Sequence, residues 1–348
     1  MKFSANRLDS IPVHFILCTE RSGSSLLSLM LNLHSSIICP SEEPFALYFY
    51  RRYKNKTKWS DNDIHRYVND FFVLADKNLD LYFSSKDRFL NTLLEHKNIL
   101  NYHRLMKITY LHFFDVKEKK DIEVIVDKQI KYFFHLTELQ KIFPKSKFLI
   151  LTRDVRDNVV SKKNRALNWS QHPMFLAYLW KDTYRNMHCI QMDNKKIITY
   201  EDLVKQTEET LRAVCSWFNV SFQSEMLETE NKFKSLVEVK KNQLDPAFYE
   251  KLLLFHEGLS EKPNTNKIGQ YKQFDTKTIA QLEAICEKEL DLFGYKRSRL
   301  KTKTFILKKL FFQFLSKCYR SYLLKFYLAV PLEIKLVIRR LKKKKVSA

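Results

Sequence analysis

The chain is poor in glycine, with four residues in 348, and it has only six cysteines. The cysteines are far apart, with no C-x-x-C pair and no metal-ligand spacing, so we expect ordinary core thiols and a reducing, cytoplasmic compartment. No uncharged apolar run approaches the roughly 18 residues that a membrane span needs. Residues 1–12 are polar and do not resemble a signal peptide.

The chain has a large positive charge that is unevenly distributed. The formal net charge is +22, and hydrophobic residues make up 45% of the sequence, which is ample for a core. Residues 301–348 carry 14 Lys and Arg against one acid, Glu333. The segment before them is only modestly basic. This distribution favours an anionic partner for the C-terminal segment.

One stretch near the N-terminus has the pattern of a phosphate-binding element. Residues 13–18 are apolar and predict a buried strand, residues 20–25 (ERSGSS) are small and polar, and residues 26–33 predict a buried helix. A helix start after such a loop offers free N–H groups to an anion, and Gly23 permits close backbone approach. An N-capped core helix with a surface arginine, Arg21, explains the same stretch equally well.

Further strands alternate with helices along the chain. The strands are predicted at residues 37–39, 122–127, 147–152 and 196–199, and helices at about 132–142, 158–165, 175–192, 211–218 and 279–293. Residues 245–273 contain two prolines and two glycines and are expected to be loop-rich. This alternation predicts an α/β fold with a parallel central sheet covered by helices on both sides.

Three cations follow the ends of predicted strands: Arg21, Lys128 and Arg153. Ligands of open α/β sheets bind outside the carboxyl ends of the strands. Ser161 lies eight residues after Arg153, so a strand end and one or two helical turns bring both side chains to one ligand group. Three cations on one sheet edge indicate an anion site unless acids neutralise them.

At this point the chain resembles the sulfotransferases that use 3′-phosphoadenosine 5′-phosphosulfate (PAPS). Five segments carry the resemblance, in the family's order, over residues 13–297. They are Arg21-Ser22-Gly23-Ser24-Ser25-Leu26-Leu27, Asp127-Lys128, Arg153 with Ser161, Tyr200-Glu201-Asp202-Leu203, and Asn266-Lys267-Ile268-Gly269-Gln270-Tyr271. The resemblance implies a P-loop NTPase-like sulfotransferase fold, with PAPS as the donor and no metal.

The resemblance also implies a role for each matched residue. Arg21 and the amides of residues 22–26 would hold the 5′-phosphosulfate, with hydroxyl contacts from the neighbouring serines. Arg153 and Ser161 would hold the 3′-phosphate, and Lys128 would lie near the transferred group. The implied cofactor-binding residues are Arg21, Ser22, Gly23, Ser24, Ser25, Leu26, Arg153, Ser161, Tyr200 and Lys267.

The general base is expected among two adjacent carboxylates, Glu42 and Glu43. They follow the second predicted strand, where related enzymes place a glutamate. Counting from Arg21 without a gap favours Glu42, and a slip of one residue gives Glu43. Solvation alone is the ordinary role of such a pair on a loop.

We predict a sulfotransferase domain at residues 1–298, with a helical insertion at 45–120 on the acceptor side, and a basic amphipathic helical tail at 299–348. The tail either packs on the body with a solvated basic end or lies on an anionic membrane surface, which makes the protein peripheral to the inner face of the membrane. The acceptor is expected to be a hydroxyl or amine, on a glycan or glycolipid. No RNA-binding signature is present.

Two other functions remain open from the residues alone. A P-loop kinase needs Gly-Lys-Ser/Thr in the loop and a carboxylate for Mg²⁺, but this loop contains no lysine. A non-catalytic basic membrane-surface protein accounts for residues 301–348 but not for the ordered segments before them.

Overall fold

A computed structural model describes residues 3–40, 44–75, 83–113, 119, 121–130, 132–165, 170–239, 241, 246–255, 257–298, 306–320 and 329–346. Within these residues, five strands form one parallel sheet in the order β2-β3-β1-β4-β5. The strands are β1 (Val13–Cys18), β2 (Ile37–Ile38), β3 (Val124–Lys128), β4 (Phe148–Thr152) and β5 (Lys195–Thr199). The predicted parallel α/β fold is confirmed.

The helices cover both faces of the sheet and extend beyond it. They are α1 (Ala5–Ser10), α2 (Ser24–Leu33), α3 (Phe45–Tyr48), α4 (Tyr50–Tyr53), α5 (Asp61–Leu74), α6 (Lys86–Glu95), α7 (Tyr102–Leu111), α8 (Leu136–Ile142), α9 (Val155–Arg165), α10 (Pro173–Tyr184), α11 (Tyr200–Lys205), α12 (Thr207–Phe218), α13 (Lys232–Val239), α14 (Pro246–Phe255), α15 (Thr276–Ile285), α16 (Glu287–Leu292), α17 (Ile306–Tyr319) and α18 (Leu332–Val346).

The alternation of side chains along β1 separates two hydrophobic cores. Phe15 and Leu17 face a large core that includes the helices of residues 45–111, whereas Ile16 and Cys18 face the core around α2 and α12. Every residue of β1 is buried, as expected for a central strand covered on both faces.

The strand order places a topological switch point between β1 and β4. The chain leaves β1 toward β2 on one side, whereas it leaves β4 toward β5 on the other. Cys18 of β1 pairs with Leu151 of β4, so the two strands end at the same level. The crevice between two such connections is where open α/β sheets bind ligands.

Three helix predictions need correction. The segment 245–273, expected to be loop-rich, contains α14, because Pro246 occupies the first helical position, where proline is tolerated. The helix expected at 175–192 ends at Tyr184 and continues as a 3₁₀ turn. The helix expected at 279–293 is divided at Cys286, which has non-helical dihedrals.

The C-terminal helices pack on the body of the fold. α17 contacts α10, and α18 contacts α5. Among the described residues, no helix is both long and apolar enough to cross a membrane.

Candidate active site

The loop after β1 has the backbone geometry of an anion-binding turn. Arg21 and Gly23 both adopt positive φ angles, +63° and +88°. A Cβ atom added to Gly23 would lie 2.5 Å from Cδ2 of Tyr200, so glycine is required here on two counts. Gly23 caps α2 without a side-chain hydrogen bond. The first amide groups of α2 therefore have no intrahelical partner and point into the loop.

Arg153, after β4, is in contact with four other segments of the chain. Its Nη1 donates to the carbonyl oxygen of Arg21 at 3.2 Å, and its Nη2 donates to that of Lys267 at 2.6 Å. Its guanidinium carbon lies 4.6 Å from the ring centroid of Tyr200. Trp180 Nε1 donates to the Arg153 carbonyl at 3.0 Å and fixes the backbone. Four separate parts of the sequence thus meet at one arginine.

The first and second predicted motifs are in direct contact. Arg21 Nε donates to Ser161 Oγ at 3.1 Å, across 140 positions of sequence. This contact and the bond from Arg153 to the Arg21 carbonyl bring the residues after β1 and after β4 together. Both arginines are partly or fully buried.

Several cationic side chains lie close together around Arg21 and Arg153. Burial lowers the pKa of Arg21, and the nearby charges of Arg165 and Arg153 lower it further. Burial likewise lowers the pKa of Lys267. The charges of Arg21, Arg153 and Arg165 lower it further, and the charge of Glu261 raises it. Like charges brought together in a partly dehydrated crevice are stabilised by an anion.

Sequence reasoning missed several of the residues around the loop. Asn158 Nδ2 donates to the carbonyl of Glu20 at 2.8 Å, and Lys162 Nζ donates to Thr19 Oγ1 at 2.9 Å. The signal was present in the sequence: Asn158, Ser161, Lys162 and Arg165 recur at the spacing of one face of α9.

The serines of the loop differ in their exposure to solvent. Ser22 and Ser24 are buried, and Ser22 Oγ accepts from Asn158 Nδ2 at 3.4 Å. Ser25 is partly exposed. Leu26 is buried in the core around α2, so its amide is the group that it presents to the loop. The partly exposed Ser25 is therefore the most accessible hydroxyl of the three.

Lys128 lies on the other side of β1 from Arg153. Its pKa is lowered by burial, and Cys18 and Cys39 are the groups whose charge opposes that shift. The pKa of the Cys18 thiol is raised by burial, and Lys128, Ser24 and Lys162 oppose that shift. Cys18 therefore lies close both to Lys128 and to Ser24, the first residue of α2 after the Arg21 loop.

Glu42 and Glu43 lie outside the described residues. The chain leading to them is held by two hydrogen bonds between Asn32 and Cys39, at 2.8 and 2.9 Å. Cys39 is also one of the two cysteines whose charge raises the pKa of Lys128 against the effect of burial. Cys39, which precedes the two glutamates in the sequence, therefore lies close to Lys128.

The acidic residues near Arg153 organise the surrounding loops. Asp157 accepts from the backbone amides of Gly269 at 2.7 Å and Tyr271 at 2.8 Å, and so anchors the loop that carries Lys267 to α9. Arg156 forms ion pairs with Asp154 at 2.6 Å and Glu283 at 2.5 Å. These carboxylates are therefore used in structural contacts around the crevice.

Asp127, next to Lys128, is a buried carboxylate on the opposite face of β3. Its Oδ2 accepts from the hydroxyls of Tyr110 at 2.6 Å and Tyr132 at 2.5 Å. Burial raises the pKa of Asp127 to about 6, because dehydration of the carboxylate outweighs the two tyrosine hydrogen bonds.

We expect this group to make stability depend on pH. Its folded-state pKa lies above the unfolded value, so its contribution is fully present below about pH 4 and is lost as pH rises through 6. Between pH 5 and pH 7 the wild type should lose about 1 kcal/mol relative to Asp127→Asn, whose amide does not titrate. Urea unfolding of both proteins at the two pH values measures this difference. A constant difference in unfolding free energy would contradict the expectation.

The described residues contain no group of three or more His, Cys, Asp or Glu side chains that could hold a metal ion.

Comparison with known proteins identifies the family to which the chain belongs. Residues 12–224 match the profile described as the sulfotransferase family, which is more than half of the chain. A curated relative, protein-tyrosine sulfotransferase 1 of Danio rerio, is 24% identical over 227 residues, which cover 63% of this chain and 56% of the relative. The chain thus spans a little over half the length of that relative.

Among solved structures, the sulfotransferase domain of the olefin synthase from Synechococcus PCC 7002 is similar in fold. The TM-score is 0.53 at 17% sequence identity, and the match covers 82% of this chain and 95% of that domain. This similarity agrees with the five-stranded parallel sheet and its helical layers. On the family match, which spans β1 to α12 and includes both arginine loops, the chain belongs to the sulfotransferase family.

Proposed function

We propose that this protein transfers the sulfuryl group of PAPS to a hydroxyl or amine acceptor. The observation that carries the proposal is the contact between the two arginine loops at the switch point, where Arg153 binds the Arg21 carbonyl and Arg21 binds Ser161. A ligand with anionic groups at both ends suits two such loops side by side.

The residues present fit PAPS at both ends. The positive φ of Gly23 shapes the turn before the free amides of α2, where the phosphosulfate would bind, and the absence of a Cβ admits the ring of Tyr200 beside it. In our proposal Arg21, Ser24 and Ser25 hold that end. Arg153 and Ser161 hold the 3′-phosphate, with Tyr200 and Lys267 completing the wall of the crevice.

PAPS supplies an activated sulfuryl group attached to a phosphate leaving group. In our proposal the chain positions both partners for in-line transfer and offsets charge on the oxygens that develop it. Arg21 and Lys128 supply positive charge from the two sides of β1. Glu42 removes the proton of the acceptor, with Glu43 as the alternative base, so that the acceptor oxygen or nitrogen attacks as a nucleophile.

For the acceptor we propose a hydroxyl of a glycan or glycolipid. The aromatic residues of the helical insertion do not support this choice by themselves, because Phe45, Phe71 and Phe89 are buried and in ring contact with one another. The curated relative is a protein-tyrosine sulfotransferase, which makes the phenolic hydroxyl of a protein the second candidate. Transfer of labelled sulfate from PAPS to a set of glycans and tyrosine peptides distinguishes the two acceptor classes.

The proposal predicts selective binding of adenosine 3′,5′-bisphosphate over AMP. At a ligand concentration about 100 times Kd, binding adds about 2.7 kcal/mol to the free energy of unfolding. For a chain of this size, that corresponds to a rise in Tm on the order of 5 °C. AMP, which lacks the 3′-phosphate, should give a much smaller rise. Thermal shift assays with both nucleotides test this, and equal shifts would remove Arg153 and Ser161 from the 3′-phosphate role.

A further inference from the structure

The C-terminal helix α17 is fixed to the body through one of its faces. Phe312 stacks on His172, with ring centroids 4.0 Å apart. Ser316 Oγ donates to Asp182 Oδ2 at 2.7 Å, and Arg320 forms an ion pair with the same carboxylate at 2.7 Å. These contacts account for the packing of α17 against α10.

A different face of α17 is apolar and exposed. Leu307, Leu310, Phe311 and Phe314 follow the i, i+3, i+4, i+7 spacing of one helical stripe. Leu307 is 83% exposed and Phe314 is 64% exposed. A helix that has already buried one face on the protein ordinarily presents polar residues on the rest of its surface, so this stripe indicates a second contact surface.

Helix α18 repeats this arrangement. Its buried face includes Leu332 and Leu336, and it packs on α5. Its other face is a stripe of large aliphatic side chains with the same spacing: Ile334, Val337, Ile338 and Leu341, all exposed. We call the two stripes together the C-terminal apolar surface.

Basic residues flank the stripe of α17 and follow the stripe of α18 in the sequence. Lys308 and Lys317 are exposed and flank the stripe of α17 on its two sides. The sequence after Leu341 continues with four lysines. The single acid of residues 301–348, Glu333, is engaged by Arg52. The surface therefore suits a partner that is apolar and anionic at once.

A cleft beside α18 brings arginines close to the exposed stripe of that helix. It has a volume of about 590 Å³ and lies between α5 and α18. Arg52, Arg66 and Arg340 line it together with Val337 of the stripe, and the two carboxylates that also line it form ion pairs with Arg52 and Arg340. Cationic groups thus lie next to apolar ones along the same helix.

We propose that the C-terminal apolar surface docks on an anionic phospholipid bilayer, with α17 and α18 lying in the interface and not crossing it. The charge argues against a second copy of this chain, because a symmetric contact would bring two strongly basic segments together. The eight exposed aliphatic and aromatic side chains argue against nucleic acid, since they have no role against phosphates alone. Interfacial helices are held on a bilayer by apolar side chains that insert between the lipids and by basic side chains that are attracted to anionic headgroups.

The test is sedimentation of the full chain with vesicles of phosphatidylcholine alone or with about 30 mol% phosphatidylglycerol, at low and high salt. We expect binding to the anionic vesicles only. Lys308→Gln with Lys317→Gln should weaken it by about 25-fold, from about 1 kcal/mol per basic residue. Phe311→Ser with Phe314→Ser should weaken it by at least about tenfold at both salt concentrations.

The matched control is Met192→Ser with Leu292→Ser, two exposed apolar residues on the body of the fold. It should bind the vesicles like the wild type. Equal binding of the Phe311/Phe314 variant, equal binding to neutral vesicles, or no binding at all would each overturn the proposal. A dimer in the absence of lipid that dissociates in the Phe311/Phe314 variant would assign the surface to self-association instead.

Discussion

Glu42→Gln is expected to lower kcat by roughly 10²- to 10⁴-fold while leaving the affinity for adenosine 3′,5′-bisphosphate unchanged. The side-chain amide keeps the size of the carboxyl group but cannot accept the proton of the acceptor. The chain that leads to residue 42 is anchored by Asn32 and Cys39, so the substitution should not disturb the nucleotide crevice. Steady-state kinetics with PAPS and nucleotide titration measure the two quantities separately.

Glu43→Gln is the matched control for this prediction. It removes the same charge one position away in the sequence and should retain most of the activity. If instead the control is inactive and Glu42→Gln is active, the base is Glu43. Full activity in both variants would place the base elsewhere in the crevice.

The pH profile of the reaction gives a second readout. A glutamate base must be ionised to act, so kcat should rise with pH through the pKa of that group and then level off. In Glu42→Gln the residual activity should lose this acidic limb. Loss of rate with an unchanged pH profile would assign Glu42 to positioning and not to proton removal.

The second large effect is expected at Arg153. Arg153→Ala should weaken binding of adenosine 3′,5′-bisphosphate by about 10²- to 10³-fold, because charge-assisted hydrogen bonds to a phosphate contribute about 1.5–3 kcal/mol each and a guanidinium forms two. Arg153→Lys should recover only part of the affinity, since lysine restores the charge but not the planar fork. Isothermal titration of each variant measures these affinities.

Arg153 also has a structural role that the experiment must separate from phosphate binding. Its guanidinium donates to the carbonyls of Arg21 and Lys267, so its removal loosens two loops. AMP affinity distinguishes the two roles, because AMP reaches the loop of Arg21 but has no 3′-phosphate. An equal loss for both nucleotides would mean that Arg153 positions loops and does not contact the 3′-phosphate.

Arg212→Ala serves as the control for general charge. Arg212 lies on α12, where its ion pair with Glu208 is exposed to solvent. It should leave both affinities within about twofold, because an exposed pair contributes little and lies outside the crevice. A large effect there would show that the nucleotide responds to net charge and not to the two loops.

The crowding of cations explains why the crevice should be sensitive to such changes. The charges of Arg165 and Arg153 add to burial in lowering the pKa of Arg21, and the charges of Arg21, Arg153 and Arg165 add to burial in lowering the pKa of Lys267. The nearby carboxylates of Asp154 and Asp157 are committed to Arg156 and to the loop amides. An anionic ligand therefore relieves a repulsion that the fold itself maintains.

Much of this site could be predicted because its signals are local. A short apolar run before a polar turn predicts β1, the turn places Gly23 before α2, and the same logic applies to β4 and Arg153. Gly23 illustrates the limit: the sequence indicates a tight turn, but the ring of Tyr200 that excludes a Cβ comes from a segment 177 positions later. Lys162 lies at helical spacing from Asn158 in the sequence, but its contact with Thr19 depends on how α9 packs across β1.

By itself, the sequence determined the parallel α/β class, the strand ends that carry Arg21, Lys128 and Arg153, and the basic character of residues 301–348. These properties depend on periodicity, turn chemistry and charge, which neighbouring residues specify. Only the tertiary structure decided that the two arginine loops touch, that Phe45, Phe71 and Phe89 are buried, and that α17 and α18 each keep one apolar face exposed. Those outcomes depend on contacts between segments far apart in the chain, where the packing of the whole core, and not local propensity, sets which side chains meet.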